Sequence, residues 1–240
     1  TSFSPGNSLT SSDGFSVGDW TSQHFSNILS SDEFYVWVKN SLVVSIGTTI
    51  LGLSIAIPAG YGFSRYKFYG KSSIMFSFIL VQMFPGVIII VPYFILMKTL
   101  GLLNTSIGLI FAYSVTALPL CVWMLKGYFD TIPRELEEAA RIDGCSQFQV
   151  FWKIIIPYLE QTILVIWTII TLLVLKVFDI IYAMTNGQWQ TEVLANLMYD
   201  WMFRGGGDTG RGSVLAFCIL IGVTPILAWN LYRHKQDQKV

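Results

Sequence analysis

Residues 127–157 read GYFDTIPRELEEAARIDGCSQFQVFWKIIIP. The stretch is charged, helix-forming and capped, and it lies between two runs that are nearly all apolar. Pro133 suits a first helical turn, where its missing N–H costs nothing. Glu135, Glu137 and Glu138 sit in the early turns, where carboxylates favour the helix dipole. Ala139 and Ala140 give a small, smooth surface. Gly144 ends the helix because it accepts a positive φ. Ser146, with Gln149 three residues later, forms a capping box and opens a second helix. Its apolar face carries Phe148, Phe151, Trp152 and Ile155, and it runs to Pro157. From the residues alone two readings stand: a solvated amphipathic loop, or a stiff handle by which something in water grips a membrane protein.

The rest of the chain is built for lipid. Charged residues are 12% and hydrophobic residues 53% of the 240, whereas soluble domains carry about 25% charged residues. Five apolar stretches approach the ~20 residues needed to cross a bilayer as a helix: 36–63, 73–96, 105–125, 161–184 and 212–231. Pro58, Pro85, Pro92, Pro119 and Pro225 fall within them and mark kinks or unwound segments facing protein or a wet path. Gln82, Met83 and Pro85 together read as lipid-facing or packing residues, or as a flexible gate.

Basic residues set the orientation. Arg65, Lys67 and Lys71, then Lys126, Arg134, Arg141 and Lys153, then Arg233, Lys235 and Lys239 fall in alternate connections. Those connections are cytoplasmic; Lys39, Lys98, Arg204 and Arg211 lie outside. The expected organisation is an extracytoplasmic segment at 1–35 after a missing first helix, three spans within 36–126, a cytoplasmic loop at 127–160, two spans within 161–232 joined by an outer loop at 186–211, and a cytoplasmic tail at 233–240. Phe15, Trp20, Phe25 and Ile28 suggest an amphipathic element in the first segment, and GGGDTGRG reads as a flexible turn before the last span.

Several classes fall away. No basic patch suits nucleic acid. Cys121, Cys145 and Cys218 lack disulfide or zinc spacing and read as small apolar fillers. No nucleophile–base or zinc-protease motif occurs, and no metal or catalytic residue is assigned. His24 and His234 carry no chemistry. No G-x4-G-K-S/T motif exists, so no nucleotide site of that kind is read in this chain.

Glu138, Ala139, Ala140, Gly144, Ile154, Ile156 and Pro157 resemble the signature E-A-A-x3-G-x9-I-x-L-P of ABC importer permeases, with Ile156 in place of the usual Leu. NSLVVSIGTTILGLSIAIPAGYGFSRYKFYGK, QMFPGVIIIVPYFILMKTLGLLNTSIGLIFAY and LKGYFDTIPRELEEAARIDG extend the similarity to the carbohydrate-uptake permeases of maltose type. The resemblance implies an all-α polytopic bundle of type I, with five spans here and six in the intact subunit, in a bacterial inner or plasma membrane. It implies a second permease subunit, a dimer of cytoplasmic ATPase subunits that bind ATP-Mg, and an extracytoplasmic sugar-binding protein as partners, with no cofactor in this chain. It assigns ATPase coupling to Glu137, Glu138, Ala139, Ala140, Arg141, Asp143, Gly144 and Pro157. The cargo expected is an oligosaccharide or glycoside, with an amino acid, osmolyte or ion as the alternative.

After Pro157 the pattern changes. Residues 173–188 and 203–217 resemble the larger subunit of the maltose-type pair, whereas the first part resembles the smaller; either this branch mixes the two patterns or the chain is composite. Lys176 falls where the larger subunit carries a sugar-contacting asparagine. Lys176 and Asp179 lie three apart on one helix face. They read either as the lining of a path or as an internal ion pair or a snorkelling lysine. Tyr182 and Thr185 are further path candidates.

Overall fold

A short helix, α1 (Gln23–Leu29), leads through Ser30 and Ser31 into α2 (Asp32–Arg65) in the computed structural model, which describes residues 21–176, 179–204 and 208–237. Asp32 and Glu33 occupy the first turn of α2 and Arg65 its last, each charge matched to the helix dipole. The 34 residues of α2 extend about 51 Å at 1.5 Å per residue, well beyond a hydrocarbon core of ~30 Å. Both ends therefore stand in the polar zones. One stripe of α2 is small and buried: Ser41, Ser45, Thr48, Thr49, Gly52, Ala56, Gly60 and Ser64. Such a stripe lets helices pack at short range without bulky knobs, and it lies against the helices described next as α5 and α9.

α3 (Lys71–Met83) and α4 (Gly86–Thr99) follow. The expected span at 73–96 is not one straight helix. Its two halves meet at 108°. Pro85 lacks an N–H and forces Phe84 into extended geometry, φ −73° and ψ 131°. Pro58, Pro92, Pro119 and Pro225 instead lie inside continuous helices. α5 (Ser106–Thr131) begins where the Thr105 hydroxyl accepts the Gly108 N–H at 3.0 Å. Leu109, Tyr113, Ala117, Cys121, Leu125 and Phe129, each four apart, form with Ala112 its buried face and the centre of the core.

The polar stretch contributes α6 (Arg134–Ile142) and α7 (Gln147–Val150). A π-helical turn, Phe151–Ile155, joins α7 to α8 (Ile156–Tyr158), so the helix does not stop at Pro157 as expected. The proline ring would clash with the Lys153 carbonyl in a regular α-helix, and widening the preceding turn removes that conflict. The chain turns by 70° around Leu159 into α9 (Glu160–Lys176). α10 (Asp179–Met184) follows on the other side of residues 177–178. α11 (Leu194–Phe203) lies within the expected outer loop, which is thus partly helical: Ile28, Leu194, Val214 and Leu215 form a second buried cluster, and Trp201 meets Trp37 edge-on at 5.8 Å. Asp208 accepts the Arg211 N–H and pairs with its guanidinium at 3.1 Å, opening α12 (Thr209–Asp237). In the expected amphipathic element, Phe25 packs on Phe217 and Ile28 is buried, while Phe15 and Trp20 lie outside the described residues.

Among the described residues three helices are individually long and apolar enough to cross a membrane, Asp32–Arg65, Ser106–Thr131 and Thr209–Arg233, and five spans result if each bent pair counts as one. Large apolar side chains on α3 and α4, including Phe76, Ile88, Val91 and Ile95, are exposed, as suits helices facing lipid or another membrane chain.

Candidate functional site

The polar stretch is stiff because its ends are fixed by backbone chemistry. Pro133, in extended geometry, caps α6 rather than opening it, and Arg134 is the first helical residue. At the other end Gly144 has φ +85° and donates to the Arg141 carbonyl, while the Cys145 N–H reaches the Ala140 carbonyl, both at 3.0 Å. The closing glycine is the one read from sequence. Gln149 Oε1 accepts the Ser146 N–H at 2.8 Å, and Ser146 Oγ accepts the Gln149 N–H at 3.3 Å, completing the capping box.

The residues assigned to coupling do not share one face. Glu138, Ala139, Arg141, Asp143, Gly144 and Pro157 are exposed, but Glu137 and Ala140 are buried. The outer face also carries apolar groups: Leu136, Ile142 at 86% exposure, Phe148 at 72% and Trp152, with Phe148 and Trp152 rings 6.1 Å apart. Val150 and Ile155 point inward, and Phe151 packs on Tyr61 at 5.0 Å. A helix pair showing large apolar groups around Glu138 and Ala139, in water, has the make-up of a docking surface.

Glu137 is tied to the chain itself. Arg65 Nε donates to its Oε1 at 2.5 Å and Tyr61 Oη to its Oε2 at 3.0 Å. In the sequence Arg65 marks orientation alone, and Tyr61 carries no local signal of this role. A cation ending an apolar span, next to an acidic loop, was the available signal.

The path candidates also separate. Asp179 lines a cavity of about 310 Å³ with Gln82, Phe84, Tyr93, Tyr113 and Thr116, at the break between α3 and α4. Gln82 Nε2 donates to the Thr116 carbonyl at 3.2 Å. Lys176 is exposed, and no ion pair joins it to Asp179 among the described residues. Tyr182 lies under the Arg204 guanidinium, 4.5 Å from its ring centre. Thr185 is buried, and its hydroxyl is engaged locally with the Ile181 carbonyl and the Gly187 N–H, each at 3.3 Å. Of the four, the structure brings only Asp179 to the cavity. Tyr93, Gln82 and Thr116 were detectable as polar groups in apolar runs. A larger groove of about 1120 Å³, lined by Lys67, Lys71, Trp123, Lys126 and Tyr128, shares no residue with this cavity or with the coupling surface.

Fold and site together define a polytopic helical membrane component with an exposed, partly apolar helix pair. The chain belongs to the family described as binding-protein-dependent transport system inner membrane component, which matches residues 49–237. It is similar to the alpha-glucoside transport system permease protein AglF of Rhizobium meliloti (strain 1021), with 63% identity over 100 residues, 42% of this chain and 30% of that protein. It is also similar to the maltodextrin transport system permease protein MdxG of Bacillus subtilis (strain 168), with 34% identity over 163 residues, 68% of this chain and 58% of that protein. The chain thus spans less than two thirds of the length of these relatives. Its fold matches a chain of a bacterial ABC transporter involved in alginate import, with a TM-score of 0.69 over 98% of this chain and 86% of that one at 21% identity.

Proposed function

We propose that this chain is a membrane-spanning permease subunit of an ATP-driven, binding-protein-dependent sugar importer. It forms part of the translocation path and docks a cytoplasmic ATPase through the outer face of α6 and α7. The observation that carries the reading is the doubly capped element that turns Glu138, Ala139, Ile142, Phe148 and Trp152 outward while its inner side is fastened to the bundle. Ala139 allows close approach, the apolar groups supply contact area, and Glu138 is free to meet a cation. A rigid handle of this kind converts closure of a partner into movement of the spans.

ATP binding and hydrolysis belong to the docked partner. A second permease subunit completes the path, and an extracytoplasmic binding protein delivers the sugar. The cargo class follows from family membership together with the alpha-glucoside and maltodextrin relatives: an α-linked glucoside or short glucan. Asp179, Gln82 and Tyr93 give the cavity the carboxylate, amide and aromatic groups that suit a hydroxyl-rich ligand.

The test uses the complete importer reconstituted in vesicles with its ATPase and binding protein. Glu138→Lys and Gly144→Trp should leave insertion intact and separate ATP hydrolysis from sugar uptake. Normal transport by both variants refutes the docking assignment. Stimulation of hydrolysis by an amino acid or osmolyte, and not by α-glucosides, refutes the cargo.

A further inference from the structure

The buried face of α6 carries Glu137 and Ala140, three residues apart. Glu137 retains 5% of its exposure. Both its carboxylate oxygens are taken within the chain, one by Arg65 and one by Tyr61. The guanidinium also donates through Nη2 to the Ile132 carbonyl at 3.0 Å, at the exit from α5. The Tyr61 ring packs edge-on against Phe129 of α5 and Phe151 of the π-helical turn, at 5.5 and 5.0 Å. Three elements, α5, α6 and the π-helical turn, therefore converge on the last turn and a half of α2.

The far end of α2 is fastened as well. Asn40 Nδ2 donates to the Gln190 carbonyl at 2.7 Å and to the Glu192 carbonyl at 2.9 Å. Ser41 Oγ accepts the Leu194 N–H at 3.1 Å. These bonds hold a turn whose Asn186, Trp189 and Gln190 all have positive φ. Asn40 and Tyr61 are separated by about 32 Å of helix at 1.5 Å per residue, close to the ~30 Å of the hydrocarbon core. α2 continues between them without a break.

Resting on the docking reading above, we propose that Glu137 is an internal anchor and not an ATPase contact. Through Arg65 and Tyr61 it locks α6 to α2, and α2 carries displacement of α6 across the membrane to residues 190–194, which Asn40 and Ser41 hold. A nine-residue helix cannot transmit force through its own stability. It needs a bond to a longer element, and a buried ion pair suits this because it fixes geometry more than it adds stability.

The experiment uses the complete reconstituted importer and measures three quantities: ATPase co-purification, thermal denaturation, and ATP hydrolysed per sugar imported. Glu137→Gln should keep the ATPase at wild-type stoichiometry and raise ATP per sugar about fivefold or more, the lower range of an allosteric coupling energy. Asn40→Ala, at the other end, should raise the same ratio. The exchange Arg65→Glu with Glu137→Arg should bring it back toward wild type. If Glu137→Gln does not fold, Tyr61→Phe and Asn40→Ala carry the test. Loss of ATPase co-purification from a folded Glu137→Gln importer overturns the anchor, since Glu137 would then be a docking contact. So does lower thermal stability with an unchanged ratio, the signature of a purely structural ion pair. Uncoupling by Glu138→Lys with a normal Glu137→Gln overturns the anchor alone, whereas an unchanged ratio in both overturns the docking reading with it.

Discussion

Gly60 and Gly62 lie two residues apart near the C-terminal end of α2, and replacing each by alanine should have opposite effects. A Cβ at position 60 would stand 2.9 Å from Leu125 Cβ and 3.2 Å from the Lys126 nitrogen. The second of these is main chain inside the 26-residue α5, so relief requires the helices to separate. At position 62 a Cβ meets nothing within 4 Å. Both changes gain helix propensity of up to about 1 kcal/mol. At Gly60 that gain is set against overpacking of about 1–3 kcal/mol, leaving a net loss on the order of 1 kcal/mol. At Gly62 nothing opposes the gain. Thermal denaturation of the assembled importer in detergent measures the difference, with Gly62→Ala as internal control. Gly60→Ala should melt lower than wild type, and Gly62→Ala at or above it. Because Gly60 precedes Tyr61, the separation should also loosen the hold on Glu137 and raise ATP consumed per sugar. A Gly60→Ala importer as stable and as tightly coupled as Gly62→Ala refutes the close α2–α5 contact on which the rigidity of α2 rests.

Three further outcomes follow from the geometry. Gly144→Val should weaken ATPase co-purification, because a left-handed residue with a side chain costs about 1–2 kcal/mol while the space around Gly144 is open; Gly144→Asn, which tolerates that φ, should be milder. Asp179→Asn and Tyr93→Ala should raise the sugar concentration for half-maximal uptake about tenfold, the size of a lost charged hydrogen bond, whereas Lys176→Ala and Tyr182→Ala should leave uptake kinetics near wild type. Burial pushes the Glu192 carboxyl above the ordinary glutamate range, against the opposing Asn196 and Val193 N–H bonds. Its folded state therefore holds the proton more tightly than the unfolded state, so stability of the outer segment should fall as pH rises from about 4.3 through the raised value. Hydrogen exchange at residues 190–196 should show this slope, and Glu192→Gln should flatten it.

What could be read from sequence divides along a physical line. The caps at Gly144 and Ser146 were legible because backbone conformation there is a local property of glycine and of a serine–glutamine pair. The apolar runs were legible because lipid imposes length and composition. The inward turn of Glu137 was not, since the sequence shows a row of acidic residues and only the approach of Arg65 and Tyr61 from a helix over seventy positions away selects one of them. Helix α11 was missed because Leu194, Met198 and Trp201 are stabilised by the surfaces of α1, α2 and α12 rather than by a local signal. Thr185 shows the converse: a hydroxyl near charged residues suggests a ligand, and in the fold it meets the Ile181 carbonyl and the Gly187 N–H at its own helix end.

The break at Phe84 and Pro85 bears most directly on the proposed cargo path. An interrupted helix in hydrocarbon leaves backbone groups unsatisfied, each costing several kcal/mol on the order given for bilayer interiors. Such a break persists where its polar groups face protein or water. Here Val81, Gln82, Phe84 and Gly86, on both sides of the break, line the same cavity as Asp179, Tyr93 and Thr116. The proline that disrupts the helix and the polar groups that tolerate the disruption therefore belong to one feature. Charge points to Lys176 and Asp179 together; the structure leaves Lys176 on the surface and puts Asp179 at this cavity. Backbone satisfaction points to the cavity beside the exposed break, where Gln82 and Phe84 meet Tyr93, Thr116 and Asp179, and substitutions there should change the uptake kinetics of the proposed sugar cargo.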